Sequence, residues 1–357
     1  MPALFAGQES PVAVVISTLT MIIRLNKCEG CFASSATGAL ESWRNGTCPR
    51  LKGLRTTVLR QLDQGFSEYR TWAEDKTPRI GWGLSFFDSR TNGGIGRSET
   101  CMIMACSSVG KTAIGLNVIR EHPGMLTAIF SLEMSWRMLA ARLAAMHTGC
   151  STQMLEQSLK DGAEPKQIRK TVNAFPNLWC DDTPALTLRA MAEDMEQIKE
   201  TVGVYPRIVL IDYLELVGGN KALVKAEAVD RVAQEIRNWT RHHDCTTIIL
   251  HQVGKGGGGE GGTPIDLSSG RYGGHQPVDF VVGAYAPRLR ANTMDEFNQV
   301  RHELFLQLLK NRAGEAHPVG IRHRLDATCL RLSEWDAKPW KPEAVSGSPV
   351  IDEWLLE

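Results

Sequence analysis

The chain has 357 residues, of which 43% are hydrophobic and 22% charged, and 40 basic residues balance 40 acidic ones. This composition is typical of a globular protein with room for one large core and an appendage. A net charge of zero excludes a uniformly basic surface for nucleic acid, although basic groups confined to one channel are compatible with it.

Nine cysteines are scattered without a paired framework, which indicates reduced thiols and a cytoplasmic protein. Cys28 and Cys31 form a CxxC pair with Cys48 further on, but a structural zinc site takes four ligands and no histidine precedes His122. Free thiols are therefore the favoured interpretation. The apolar run Val12–Ile23 is shorter than the roughly 20 residues that span a bilayer, so we expect a packed strand or helix and no membrane association.

The sequence divides into three regions: an N-terminal segment (1–75), a main domain (76–338) and a tail (339–357). Within the first region, residues 54–74 predict a linker helix, because Leu59, Leu62, Phe66 and Tyr69 recur at helical spacing. This helix either docks on a neighbour or belongs to a domain of its own. The tail contains several prolines, and we expect it to be poorly ordered.

The main domain alternates short apolar runs with longer helical stretches. This alternation predicts an α/β fold with a mostly parallel sheet, helices on both faces and a ligand at the carboxyl ends of the strands. The predicted strands are Cys101–Ala105, Leu126–Phe130, Ile208–Asp212, Thr247–Leu250, Phe280–Tyr285, Leu304–Leu309 and Pro318–Leu325. The predicted helices are Thr112–Glu121, Trp136–His147, Leu186–Thr201 and Ala226–His243.

A phosphate-binding P-loop is predicted between the first of these strands and the first helix. Lys111 would reach the β- and γ-phosphates of a nucleotide, and the Thr112 hydroxyl would bind Mg²⁺. The first position of GxxxxGK[ST] is alanine here, and a GKT triplet also occurs by chance. The predicted loop residues are Ala105, Cys106, Ser107, Ser108, Val109, Gly110, Lys111 and Thr112.

Two acidic residues complete the predicted site. Asp212 ends the apolar run Ile208–Asp212, as in a Walker B strand, and would hold Mg²⁺ with Thr112. Glu133 follows the predicted strand Leu126–Phe130 and would polarise the attacking water. Each also has a structural interpretation: Asp212 as an acid at a strand end, and Glu133 as an acid at a helix N-terminus.

Several segments in order resemble motifs of the hexameric DnaB-type replicative DNA helicases. FSLEMS at 130–135 matches the family motif, DDTPALT at 181–187 is similar to DDTPxLT, and DYLEL at 212–216 is similar to DYLQL. The family P-loop commonly reads ARPSMGKT, so Ala105 fits, while Cys106 and Ser107 replace its Arg-Pro. The resemblance runs from about Ile80 to Leu332 and implies a RecA-like P-loop NTPase core.

The same resemblance assigns further catalytic roles. Residues 248–252 are similar to the strand that ends in a γ-phosphate-sensing glutamine, here Gln252. KNRAG at 310–314 resembles KxRxG, whose lysine and arginine act on the nucleotide of a neighbouring subunit. Lys310 and Arg312 would therefore act in trans, Arg312 as an arginine finger; alone, Arg312 is a surface arginine at a strand end.

DLSSG at 266–270 resembles the DLRxSG loop that grips single-stranded DNA, which implies contacts from Ser268, Ser269 and Gly270. The stretch is one residue shorter than the family loop and lacks its arginine, unless Arg271 substitutes. Lys255, Arg271 and Tyr272 suit a strand-binding surface or are simply solvated loop residues. The run Gly256–Gly259 matches no family feature.

The resemblance implies an ATP- and Mg²⁺-dependent helicase that moves 5′ to 3′ on single-stranded DNA as a homo-oligomeric, hexameric ring. The alternatives are a RecA- or RadA-like ATPase that does not unwind, and a scaffold switched by nucleotide. Full DnaB types carry a further N-terminal domain that binds primase, and residues 1–75 do not resemble it. We therefore expect a shortened phage or mobile-element version, with no primase or loader assigned.

Overall fold

The computed structural model describes residues 61–75, 79–162, 166–184, 186–212, 214, 217, 225–254, 261–270 and 273–337. The chain divides into two compact units, Met1–Ala73 and Glu74–Glu357, and each is described by itself. The cysteines Cys28, Cys31 and Cys48, the apolar run Val12–Ile23 and the tail from residue 339 lie outside the described residues.

In the first unit the structure describes one helix, α1 (Leu62–Ala73). Leu62, Phe66 and Tyr69 recur along it at the predicted spacing, and all three are exposed. Of the predicted linker helix 54–74, the part from Leu62 to Ala73 is helical, and its apolar side chains are exposed. Residues 54–60 are outside the described part of the chain.

The second unit is built on one large sheet, whose nine described strands have the order β11-β10-β9-β8-β3-β7-β6-β4-β5. Strands β3 to β8 pair in parallel, whereas β9, β10 and β11 are antiparallel additions at one side. A separate antiparallel pair precedes the sheet, β1 (Arg79–Ile80) with β2 (Ile95–Gly96). The strands of the large sheet are β3 (Thr100–Ala105), β4 (Thr127–Ser131), β5 (Leu178–Asp181), β6 (Ile208–Asp212), β7 (Thr246–Gln252), β8 (Phe280–Tyr285), β9 (Glu303–Asn311), β10 (His317–Leu325) and β11 (Leu332–Glu334).

Helices cover both faces of this sheet, as predicted. The α-helices are α2 (Ser85–Arg90), α3 (Lys111–Arg120), α4 (Trp136–Thr148), α5 (Thr152–Lys160), α6 (Lys166–Ala174), α7 (Leu188–Val202), α8 (Lys225–His243) and α9 (Met294–Val300), and two 3₁₀ turns span Leu267–Ser269 and Pro287–Arg290. Because side chains alternate along a strand, β3 contributes Cys101 and Ile103 to the core under α3, and Met102 and Met104 to the core under α7 and α8. A strand buried on both faces reads as a continuous apolar run, which is why its prediction succeeded.

Eight short elements of the second unit escaped the sequence prediction: the strands β1, β2, β5 and β11 and the helices α2, α5, α6 and α9. β5 is a short edge strand whose residues are half-buried or exposed, so it lacks the apolar run that marked the others. α5 and α6 are short helices with two buried residues each. The prediction for α7 started two residues early: Thr187 is its N-cap, and the Thr187 hydroxyl accepts a hydrogen bond from the Ala190 backbone N–H.

Within the described residues, no helix combines the length and the apolar character that crossing a bilayer requires.

Candidate active site

The loop between β3 and α3 has the backbone shape of a phosphate cradle. β3 is fully buried up to Ala105, and α3 begins at Lys111. Between them, Ser108 and Gly110 have φ angles of 67° and 118°. Glycine adopts such angles freely, whereas serine does so at a cost. The loop ends at a helix N-terminus, where free N–H groups and the helix dipole favour an anion.

Thr112 and Asp212 meet at the end of this loop. The Thr112 hydroxyl donates a hydrogen bond to Asp212 Oδ2 across 2.8 Å. The other carboxylate oxygen, Oδ1, is buried and has no hydrogen-bond partner. Hydroxyl and carboxylate oxygens are the ligands that Mg²⁺ prefers, and an unsatisfied buried oxygen is a strong reason for a cation to bind. The two residues therefore fit the predicted metal site, although they are 100 positions apart in the chain.

The environment of Asp212 disfavours its charge. Its side chain lies at the carboxyl end of the buried strand β6 and is fully shielded from solvent. Burial raises the pKa of Asp212 to about 6, the nearby Glu133 carboxylate adds to the rise, and the Thr112 hydrogen bond opposes it. A cation at this position would reverse the balance, because its charge stabilises the ionised carboxylate.

Glu133 lies two residues beyond β4 and is exposed. The turn that carries it is fixed on both sides: the Ser131 hydroxyl donates to the Met134 backbone oxygen at 2.6 Å, and the Trp136 backbone N–H donates to Asp182 at 2.8 Å. Ser131 pairs with Asp212 across the parallel strands β4 and β6. Glu133 and Asp212 therefore share one edge of the sheet, as predicted, and Asp182 of the DDTP segment helps hold the turn.

Gln252 ends β7 directly beside the loop. It pairs with Ala105 of the neighbouring strand β3, and its side-chain amide donates to the Ser107 hydroxyl across 2.8 Å. A change in the loop at Ser107 would reach β7 through this contact, which suits a residue that senses nucleotide.

Lys310 and Arg312 lie at the amino ends of the parallel strands, on the side of the sheet opposite the phosphate loop. β9 runs antiparallel to β8, so Asn311 pairs with Phe280, and Phe280 in turn pairs with Cys101 at the start of β3. The loop follows the other end of β3, about 13 Å away at the usual rise per strand residue. The structure therefore keeps both residues apart from the phosphate loop of their own chain.

Asp279, which the sequence prediction missed, organises this opposite edge. Its Oδ1 accepts hydrogen bonds from Arg312 at 2.6 Å and from Arg237 at 3.2 Å. Its Oδ2 accepts from the backbone N–H and the hydroxyl of Thr100. An acid just before an apolar strand carries no sequence signal for such a role, because its partners come from α8, β3 and the residue that follows β9.

Lys310 is also held at this edge. Its ammonium group donates to the backbone oxygens of His275 and Gln276, at 3.1 and 2.7 Å. Burial lowers the pKa of Lys310, and the positive charge of Arg312 lowers it further.

The predicted DNA-gripping segment, residues 266–270, is a compact turn that contacts the chain just after the end of β7. Asp266 accepts hydrogen bonds from the hydroxyl groups of Ser268 and Ser269; Ser268 is exposed and Ser269 buried. Gly270 bridges Val253, and a Cβ atom there would lie 2.8 Å from His251. Ser269 and Gly270 thus fix the base of the loop, and of the three described residues predicted to contact DNA it is Ser268 that is exposed.

The other candidates for DNA contact, Lys255, Arg271 and Tyr272, lie outside the described part of the chain, and so does the glycine run Gly256–Gly259. Within the described residues, no group of three or more His, Cys, Asp or Glu side chains is arranged to hold a metal ion. The candidate Mg²⁺ site is accordingly the Thr112–Asp212 pair, which the nucleotide's own phosphates would complete.

A mostly parallel sheet with a phosphate loop after its central strand β3, and carboxylates at the same ends of β6 and β4, defines a P-loop nucleotide-binding protein of the RecA-like class. Residues 80–330 match the model of the DnaB-like helicase C terminal domain. The chain therefore belongs to the DnaB-like helicase C-terminal domain family.

The relatives agree with this assignment. The chain is 30% identical to the replicative DNA helicase DnaB of Treponema pallidum over 224 residues, which is 60% of this chain and 49% of that protein. It is 26% identical to the replicative DNA helicase DnaB of Synechocystis over 187 residues, 51% of this chain and 21% of that protein. The matched part thus spans half or less of the length of these relatives.

Solved structures support the fold. A separately solved ATPase domain superposes with a TM-score of 0.63 at 18% identity, over 77% of this chain and 99% of that domain. A DnaB-like replicative helicase, described together with its interactions with primase, superposes with a TM-score of 0.62 at 16% identity, over 90% of this chain and 76% of that one. At these identities the likeness establishes a shared fold.

Proposed function

We propose that this chain is the ATP-driven motor of a DnaB-type DNA helicase. It hydrolyses ATP with Mg²⁺, moves along single-stranded DNA and unwinds duplex as a homo-oligomeric, hexameric ring in the cytoplasm. The observation that carries the proposal is the Thr112–Asp212 pair beside the phosphate loop, since a hydroxyl and an otherwise unpartnered buried carboxylate oxygen form half of a metal–nucleotide site.

The chain's own residues divide the chemistry among them. Lys111 and the loop N–H groups bind the β- and γ-phosphates, and Glu133 accepts a proton from the attacking water. Bound Mg²⁺ would be held by Thr112 and Asp212 and would supply positive charge to the phosphate oxygens.

The positions of Lys310 and Arg312 support assembly with a neighbouring copy. Both lie about 13 Å along the sheet from their own phosphate loop, which is beyond the reach of either side chain. A second copy could place the amino ends of its parallel strands against the first copy's loop. Its Arg312 would then reach the γ-phosphate and neutralise the charge that develops there. Six copies and 5′-to-3′ movement are inferred from the family resemblance.

A short path joins the nucleotide site to the proposed DNA loop. Gln252 contacts Ser107 of the phosphate loop, the next residue, Val253, bridges Gly270, and the Gly254 N–H donates to the Ser269 carbonyl at 2.9 Å. A shift of Gln252 on hydrolysis would therefore move the base of the DNA loop directly, which is the mechanical link that a motor needs.

The test is unwinding of a forked duplex with one labelled strand, in the presence of ATP and Mg²⁺. We expect displacement of the labelled strand by the wild-type chain and none by Lys111→Ala, which removes the phosphate contact. Forks with a single 5′ or 3′ tail establish the polarity. Negative-stain images with ATP and an oligonucleotide establish whether the assembly is a ring.

The alternatives give different results in the same assay. ATPase activity that single strands stimulate, with filaments and no strand displacement, would identify a RecA- or RadA-like protein. Nucleotide binding with no turnover at all would identify a switched scaffold. Primase contact is assigned to the solved relative alone, and adding primase to the unwinding assay tests it for this chain.

A further inference from the structure

Arg288 forms hydrogen bonds with the backbone of the phosphate loop. It belongs to the 3₁₀ turn Pro287–Arg290 that follows β8. Its guanidinium donates to the backbone oxygen of Val109 at 2.8 Å and to that of Ser108 at 3.2 Å. A third hydrogen bond, to the Glu303 backbone oxygen at 3.3 Å, ties the same group to β9. One side chain thus connects two consecutive carbonyls of the loop to the sheet.

These contacts determine which way the loop's N–H groups point. In a planar trans peptide, the N–H points opposite to the C=O. Holding the Val109 oxygen therefore directs the Gly110 N–H away from Arg288. Holding the Ser108 oxygen directs the Val109 N–H away as well, and that N–H donates to the Cys106 carbonyl within the loop at 3.5 Å. A phosphate cradle has to present N–H groups and turn its carbonyls outward, because carbonyl dipoles repel an anion.

The loop also needs support of this kind. Ser108 has a φ of 67°, which is unfavourable for a residue with a Cβ and persists where the surroundings enforce it. A charged donor makes stronger hydrogen bonds than a neutral one, and the planar guanidinium can serve two acceptors at fixed geometry. Burial lowers the pKa of Arg288, but an arginine stays charged at neutral pH.

We propose that Arg288 is a positioning residue for nucleotide binding, which orients the Gly110 N–H group of the phosphate loop by holding the Ser108 and Val109 carbonyls. The inference rests on the proposed function in one respect, namely that the loop binds a nucleotide. Arg288 acts through the backbone, and the role needs no neighbouring subunit and no DNA.

Arg290 provides a matched control. It stands two residues further along the same 3₁₀ turn and is exposed. Its side chain runs beside Gly262 rather than along the loop carbonyls. Truncating Arg290 removes an equal charge from the same surface and leaves the hydrogen bonds of Arg288 to Ser108 and Val109 intact.

The experiment measures equilibrium binding of a fluorescent ADP with Mg²⁺ to the full chain and its variants Arg288→Met, Arg288→Lys and Arg290→Met. We expect the Kd to rise about tenfold in Arg288→Met, about threefold in Arg288→Lys, which keeps the charge but loses the fork, and less than about twofold in Arg290→Met. In steady-state ATP hydrolysis, the KM should rise by the same factors with kcat within about threefold, because the loop binds ground state and transition state alike.

Wild-type affinity in a folded Arg288→Met chain overturns the inference, and so does an equal loss in Arg290→Met. If Arg288→Met fails to fold, as a urea midpoint would show, wild-type affinity in Arg288→Lys overturns it. A loss of kcat at constant KM would mark a purely structural role and also contradict it. A wild-type chain that binds no ADP contradicts both the proposed function and this inference. Normal ADP binding by the wild type and by all variants contradicts this inference alone.

Discussion

Arg312 donates a hydrogen bond to Asp279 across 2.6 Å, at the edge of the sheet opposite its own phosphate loop. Asp279 also accepts from Arg237 and Thr100, and its side chain is 8% exposed. In the single chain, the proposed arginine finger is therefore held by a nearly buried carboxylate. Arg312 itself remains 43% exposed, so it can face a second copy without leaving the edge of the sheet.

Replacing Asp279 with alanine should destabilise the chain. The change leaves two guanidinium groups side by side and the Thr100 N–H without its acceptor. We expect a loss of about 3 kcal/mol in the free energy of unfolding, the low end of the cost of breaking a buried pair, because Arg312 can hydrate. Urea denaturation measures it, with the exposed Asp336→Ala as control. Equal urea midpoints for the two variants would show that Asp279 contributes nothing to the free energy of unfolding.

Arg312 should act on the site of a neighbouring subunit. Arg312→Ala and Lys111→Ala should each lower ATP hydrolysis at least about 10³-fold, as loss of an arginine finger does. Mixed assemblies of the two variants should regain part of the activity, because a Lys111→Ala subunit supplies an intact arginine to the intact loop of an Arg312→Ala subunit. The control mixes Lys111→Ala with Asp212→Asn, where every loop is damaged. No regain in the first mixture would place Arg312 outside the reaction.

Glu133 should serve the hydrolysis step and not nucleotide binding. We expect Glu133→Gln to lower the kcat for ATP about 10²- to 10⁴-fold, the usual contribution of a general base, with the Kd for ADP unchanged. Steady-state hydrolysis and fluorescent-ADP titration measure the two quantities. Glu193→Gln, an exposed residue of α7, is the control. Full turnover by Glu133→Gln would refute the assignment.

Asp212 should make the nucleotide-free chain less stable as pH rises from about 4 to 6. Its pKa is raised from 3.8 to about 6 in the folded chain, so the folded state binds more protons in this window and loses stability as pH increases. At pH 7.5 the cost approaches about 3 kcal/mol, at 1.36 kcal/mol per pKa unit. Asp212→Asn removes it and still accepts the Thr112 hydrogen bond.

Urea midpoints of wild type and Asp212→Asn, without Mg²⁺ or nucleotide, check this prediction. The asparagine variant should be the more stable chain at pH 7.5, and its advantage should shrink towards pH 4.5. The same variant should bind Mg²⁺–ADP more weakly. An advantage that is constant with pH would show that Asp212 carries no raised pKa.

The sequence by itself determined the parts of the site that are contiguous in the chain. β6 and β8 were predicted to the residue, since a strand buried on both faces is an uninterrupted apolar run. The phosphate loop is a local object, a strand followed by a tight turn and a helix, so its spacing together with the family resemblance predicted it. The fold class followed from the alternation of such strands with helices.

Only the tertiary structure decided which residues face each other across the sheet. The edge strand β5 had no apolar run to reveal it. Asp279 and Arg288 find their partners on other elements, and Thr100 and Val109 are each 179 positions away from them in the chain. The direction of β9 placed Arg312 at the far edge from Ala105, because an antiparallel strand returns towards the start of its neighbour. Side-chain spacing within one element constrains one face of that element, whereas contacts between elements depend on strand order and register, which the whole chain settles together.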